Sequence, residues 1–107
     1  MLKFMVVLYR RPDLTPEQFR RHLEQIHAPL AMNLPGLRQY AQNHVIPDPK
    51  RNSPDWDAII ELYFDSEEIM EAAWASPQGA ASDADLPLFA DLTRTTWSVV
   101  DEVNLLP

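Results

Sequence analysis

Residues Leu2 to Arg10 form a run that is apolar on both of its alternating faces. Leu2, Phe4, Val6 and Leu8 fall on one side of an extended strand, with Met5, Val7 and Tyr9 on the other. A strand with one wet face alternates cleanly, so this run predicts a strand buried on both sides. The requirement is hard to meet in 107 residues. A single domain of that length (1–107) hides only about two-thirds of its unfolded surface and has a thin core.

The rest of the chain supplies the other layers. Arg11-Pro12-Asp13 breaks the first strand. Thr15-Pro16-Glu17-Gln18 then opens a helix: Thr15 caps, Pro16 suits the first helical position and Gln18 completes a capping box. Phe19, Leu23, Ile26 and Leu30 follow as one apolar stripe. Pro29 lacks a backbone donor and frees the carbonyl of Gln25, which predicts a kink or break near His27. Leu34-Pro35-Gly36 ends the helical region.

Leu37 to Ile46 reads as a second strand, a proline-rich loop follows over 48–55, and Trp56 to Phe64 reads as a third strand. Asp65-Ser66 opens a second helix with Ile69, Met70, Ala73 and Trp74 facing inward. Ser76-Pro77 starts a shorter helical stretch that Pro87 interrupts. Thr95 to Asn104 is the last strand, with Trp97, Val99 and Val103 on one face.

The order β-α-β-β-α-β predicts an α+β, ferredoxin-like fold: a four-stranded antiparallel sheet with helices on one side. The other face of the sheet stays bare, and a second copy packed sheet to sheet is the simplest cover, so a homodimer is expected.

Charge and composition exclude several function classes. Nine basic against 16 acidic residues give a net charge of −7, which disfavours nucleic acid and anionic membrane surfaces. Without cysteine there is no disulfide framework, thiol catalyst or Cys–zinc site. No apolar run reaches the roughly 18 residues of a membrane helix, and no signal-peptide pattern opens the chain. A soluble, cytoplasmic protein without a membrane partner is the expectation.

Three histidines and three tyrosines, with some carboxylates and amides, are left to carry chemistry. His27 lies at the edge of the apolar stripe, where burial would depress its pKa and make it a neutral acid–base group. The alternative is a packed histidine bonded to the helical carbonyl that Pro29 frees. His22 stands five residues earlier, about 140° away on an α-helix, so the pair shares no face and no metal site is expected. With Arg20, Arg21 and Glu24 around it, His22 reads as a solvated surface residue.

Tyr40, Gln42 and His44 alternate on one face of the second strand. They either line a pocket, with Tyr40 as donor and His44 as a second acid–base group, or sit half-exposed near a sheet edge. Glu61 pairs with Arg38, meets a partner across a subunit boundary, or faces solvent. Trp56, Trp74 and Trp97 read as core.

Leu8-Tyr9-Arg10-Arg11-Pro12-Asp13, then His27-Ala28-Pro29-Leu30, then Leu34-Pro35-Gly36-Leu37-Arg38-Gln39-Tyr40 together resemble the EthD family. The stretch from Trp56 to Ser66 and Ser76-Pro77-Gln78-Gly79 extends the likeness over nearly the whole chain. The resemblance implies a dimeric α/β barrel of two ferredoxin-like halves and an association with ethyl tert-butyl ether degradation beside an oxygenase system. Similar folds include cofactor-free monooxygenases, muconolactone isomerases and haem-degrading enzymes. By motif, His27 and Tyr40 correspond to pocket residues of the methylmuconolactone methylisomerase. Its active-site cysteine aligns with Leu62, a departure that puts that enzyme's chemistry in doubt for this chain.

The resulting expectation is a small cofactor-independent enzyme, of isomerase or monooxygenase type, or an accessory protein acting on a hydrophobic small molecule. His27 would be the general acid or base, Tyr40 would orient a substrate oxygen and His44 would assist, with no cofactor and no metal. A non-catalytic small-molecule-binding homodimer is the alternative. A closed structural dimer and a haem protein with His27 as axial ligand complete the set.

Overall fold

Strand β1 (Leu2–Leu8) occupies the interior of the sheet, between β3 (Ala58–Phe64) and the edge strand β4 (Thr96–Val100). Strand β2 (Gln39–His44) pairs with the far side of β3, giving the order β2-β3-β1-β4 with every neighbour antiparallel. This is the ferredoxin-like arrangement, in a computed structural model that describes all 107 residues. The central place of β1 matches its two apolar faces. The register sets Val6 beside Ile60 and Trp97, and Phe4 beside Leu62 and Val99. Val6, Leu8, Ala58, Ile60, Leu62 and Phe64 form the sheet side of the core, closed by Phe19, Leu23, Met70, Ala73 and Phe89.

The first helical region starts as the sequence predicts. Thr15 Oγ1 accepts from the Gln18 amide at 3.1 Å, and Gln18 Oε1 accepts from the Thr15 amide at 2.8 Å, opening α1 (Pro16–His22). The expected break near His27 takes another form. Leu23–His27 widens into a π turn, in which the Ala28 amide donates five residues back to the Leu23 carbonyl, and the rod continues as α2 (Ala28–Ala31). Pro29 has no amide to offer Gln25, so the ordinary α spacing cannot be kept there. The wider turn rotates the residues beyond it. His27, Ala28 and Ala31 are buried, whereas Ile26, expected in the apolar stripe, is 52 % exposed.

Helix α3 (Glu67–Ala75) is capped by Ser66. Ser76 both closes α3, through its hydroxyl to the Ala73 carbonyl, and caps α4 (Pro77–Asp85) through the Gly79 amide. A 3₁₀ turn at Leu86–Leu88 follows, where Pro87 was expected to interrupt. No helix is long and apolar enough to cross a membrane.

Three expectations change on the sheet. Glu61 pairs with Lys3, whose ammonium lies 2.5 Å from Glu61 Oε1 and 2.9 Å from Glu102 Oε2; Arg38 instead approaches Asp65 at 3.9 Å. Lys3 is buried on the helix-free face, and the two carboxylates hold its amine above the ordinary lysine range. The last strand ends at Val100, earlier than expected, and Glu102 reaches back to Lys3. Trp97 is 44 % exposed because an edge strand is covered on one side only.

Gly36 turns the chain from α2 into β2 at φ +80°. An added Cβ would collide with Ile69 Cγ2, so both backbone and packing oppose a side chain. Gly36→Ala is expected to cost about 1–3 kcal/mol. Urea denaturation checks this: the midpoint falls while the slope of the transition is unchanged.

Candidate functional site

Between the helices and the sheet lies a cavity of about 510 Å³, and twelve of its sixteen lining residues are hydrophobic. Phe4, Val6, Leu8, Ile60 and Leu62 form its floor, Trp74 and Trp97 stand in its walls, and His27 and Tyr40 both face it. Ser82 and Asp83 of α4 add the remaining polar groups. Such a cavity is within the range that holds small molecules.

His27 is 7 % exposed, and its Nδ1 lies 2.9 Å from Asp85 Oδ2. Asp85, itself buried at the end of α4, also takes His22, whose Nε2 is 3.0 Å from both carboxylate oxygens. His22 is therefore no solvated surface residue. In an α-helix it would point away from His27, but through the π turn residues five apart come to one face. The ring of His22 also stacks on Phe89, with centroids 4.6 Å apart.

An ionised carboxylate can only accept, which fixes both protons. His27 donates from Nδ1, leaving Nε2 as the free, unprotonated nitrogen. Burial depresses the His27 pKa below its ordinary 6.5, outweighing the opposing pull of Asp85. The helical-carbonyl alternative is not what forms. A helical carbonyl in this turn, that of Leu23, is taken by the side chain of Gln42 at 2.9 Å.

Gln42 joins the other candidates. Its Nε2 also donates to the Tyr40 hydroxyl at 2.9 Å, and its Oε1 accepts from His44 Nε2 at 3.0 Å. Tyr40 thus accepts from Gln42 and keeps its own proton to donate. Burial raises its pKa, so it remains a phenol. His44 does not line the cavity. It lies behind Gln42, 3.5 Å from Glu24, with its pKa lowered by burial and by Arg20. The structure thus brings His27 and Tyr40 to one space and leaves His44 one hydrogen bond further out.

Two contributors escaped the sequence reading. Asp85 had a signal: it stands in the last turn of a helix with no basic residue there, where the helix dipole opposes a carboxylate. The bridging role of Gln42 had none beyond its alternation with Tyr40 and His44. No group of three His, Asp or Glu side chains is arranged to ligate a metal ion.

Comparison with known proteins gives a consistent picture. The family model described as the EthD domain matches residues 11–93. An uncharacterized 11.0 kDa protein from the thcB–thcC intergenic region of Rhodococcus erythropolis is 30% identical over 103 residues, covering 96% of this chain and 97% of its own. The crystal structure of an EthD-family protein from Bacillus halodurans superposes with a TM-score of 0.80 at 27% identity, over 96% of this chain and all of the other. SnoaB, a cofactor-independent oxygenase from Streptomyces nogalater, shares the fold at a TM-score of 0.67 and 13% identity, over 99% of this chain and 96% of its own.

The carboxylate is what raises the His27 pKa against burial. Asp85→Asn is therefore expected to lower that pKa further and to release the ring into a mixture of tautomers. Long-range ¹H–¹⁵N NMR of the imidazoles, followed through a pH titration, reads both effects.

Proposed function

The chain belongs to the EthD family, and on that footing we propose that it is a small cofactor-independent enzyme that moves a proton on a hydrophobic molecule held in the cavity. The observation that carries this reading is the Asp85–His27 pair at the wall of an apolar space. His27 Nε2 takes a proton from a carbon beside a carbonyl. Tyr40 donates its hydroxyl proton toward the carbonyl oxygen as charge gathers there, and Asp85 steadies the imidazolium that forms. Gln42 and His44 hold Tyr40 in place as positioning residues. Returning the proton to a different carbon makes the reaction an isomerisation. Reaction of the carbanion with molecular oxygen makes it an oxygenation, the class to which SnoaB belongs.

An ether such as ethyl tert-butyl ether offers His27 no acidic proton. In a degradation pathway for such a compound, the ligand suited to this site is a carbonyl compound formed after the ether bond is cut. A second reading, a binding protein without turnover that delivers such a molecule, draws on the largely hydrophobic lining. It predicts affinity that survives His27→Gln, because apolar area and shape dominate binding.

We also propose a homodimer, working in the cytoplasm, whose two sheets pack through the helix-free face. Met5, Val7 and Ile59 lie there half-buried, with no helix over them. Val7→Glu would place a charge in that interface. Sedimentation equilibrium is expected to give twice the chain mass for the parent protein and the single-chain mass for this variant.

The catalytic reading is tested with 2-tetralone, a bicyclic ketone with an acidic benzylic C–H. NMR follows deuterium exchange in D₂O under nitrogen, and an electrode follows oxygen uptake in air. The protein is expected to accelerate one of these, and His27→Ala to reduce that rate about 100-fold or more. Only the unprotonated imidazole is active, so the rate falls as pH drops, with a midpoint below the ordinary 6.5. A rate unchanged in His27→Ala would show that this imidazole is not the base.

A further inference from the structure

We infer that the cavity selects an uncharged aromatic ketone or phenol and rejects the corresponding carboxylate; the inference rests on the ligand site proposed above. No lysine or arginine lines the cavity. Seven of the chain's nine cations are engaged elsewhere: Lys3 with Glu61 and Glu102, Arg10 with Asp57, Arg20 with Glu24, and Arg94 over the ring of Tyr9. Arg11, Arg38 and Arg51 likewise pair with Asp13, Asp65 and Asp48. The one charged lining residue is Asp83, and Asp85 stands directly behind His27. A carboxylate entering this space would lose its hydration with no cation to replace the water. His27 offers it no help, because its proton is held at Nδ1 by Asp85 and Nε2 presents only a lone pair.

The polar groups that remain specify a neutral partner. The Tyr40 hydroxyl, already accepting from Gln42, has a proton to give to a carbonyl or phenol oxygen. His27 Nε2 accepts a proton or a hydrogen bond. The walls suit a flat ring: Trp74 is fixed against Phe4 at 5.2 Å and edge-on to Phe64 at 5.6 Å, and Trp97 faces the same space from the edge strand. A cationic ligand gains little from Asp83, which is exposed to water and screened.

The test is a matched pair, 2-acetylnaphthalene and 2-naphthoate, which differ by a methyl group against an anionic oxygen. Isothermal titration of the full chain at pH 7.5 is expected to show the ketone binding at least about tenfold more tightly. Tyr40→Phe should weaken the ketone about three- to tenfold and leave naphthalene itself unaffected. Ser82→Lys, which brings a cation to the cavity wall, should raise naphthoate affinity and narrow the gap. Equal or tighter binding of naphthoate by the parent protein, binding of neither probe, or a gap that Ser82→Lys leaves unchanged would each overturn the inference. Ketone preference with neither proton exchange nor oxygen uptake on 2-tetralone would keep the ligand class and remove the catalytic reading alone.

Discussion

The missing amide of Pro29 sets the geometry from which the site is built. A helix that cannot bond back to Gln25 must loosen, and here it does so by shifting the Ala28 amide one residue further, onto Leu23. The single shift has three effects. It turns His27 inward in place of Ile26, it brings His22 onto the same face, and it makes the Leu23 carbonyl the acceptor of both the Ala28 amide and the Gln42 side chain. Asp85 on α4 then finds partners that an unbroken α-helix would have directed elsewhere.

Two buried charges are settled in different ways. Lys3, on the helix-free face, is met by two carboxylates, one from the neighbouring strand and one from the chain beyond β4. Asp85 is met by two imidazoles, which satisfy its oxygens by hydrogen bonding. Removing either partner set would leave a desolvated ion, among the more costly defects in a small core. The difference matters for chemistry. The charge of Lys3 is neutralised, whereas that of Asp85 stays available to an imidazole that gains a proton.

Much of the fold was legible because local signals and the apolar pattern agreed. Thr15 and Gln18, Ser66 and Ser76 start helices where their side chains can cap, and the two-faced run at the N-terminus lies inside the sheet. His27 and Tyr40 stood out as candidates from periodicity, and the structure brings them to one cavity. The rest depended on long-range placement. Ideal α spacing put His22 and His27 on different faces; Pro29 foretold an irregularity near His27 but not the π turn that brings the two rings together. The partnership of Lys3 with Glu61 and Glu102 needed the strand register and the path of the chain after Val100. Trp97 read as core because it shares an apolar face with Val99 and Val103, but its strand ended up at the edge.

The site is assembled from pieces far apart in the chain: His27 and Asp85 are 58 residues apart, and Gln42 reaches 19 residues back to Leu23. None of these groups meets its partner until the helices have docked on the finished sheet. Only the bonds of Gln42 to Tyr40 and His44, two residues away on the same strand, are local. Contacts of long sequence separation form late and slowly. The protonation pattern of His27 is thus also a gauge of the completed native state, and it should vanish in the same cooperative step in which the whole domain melts.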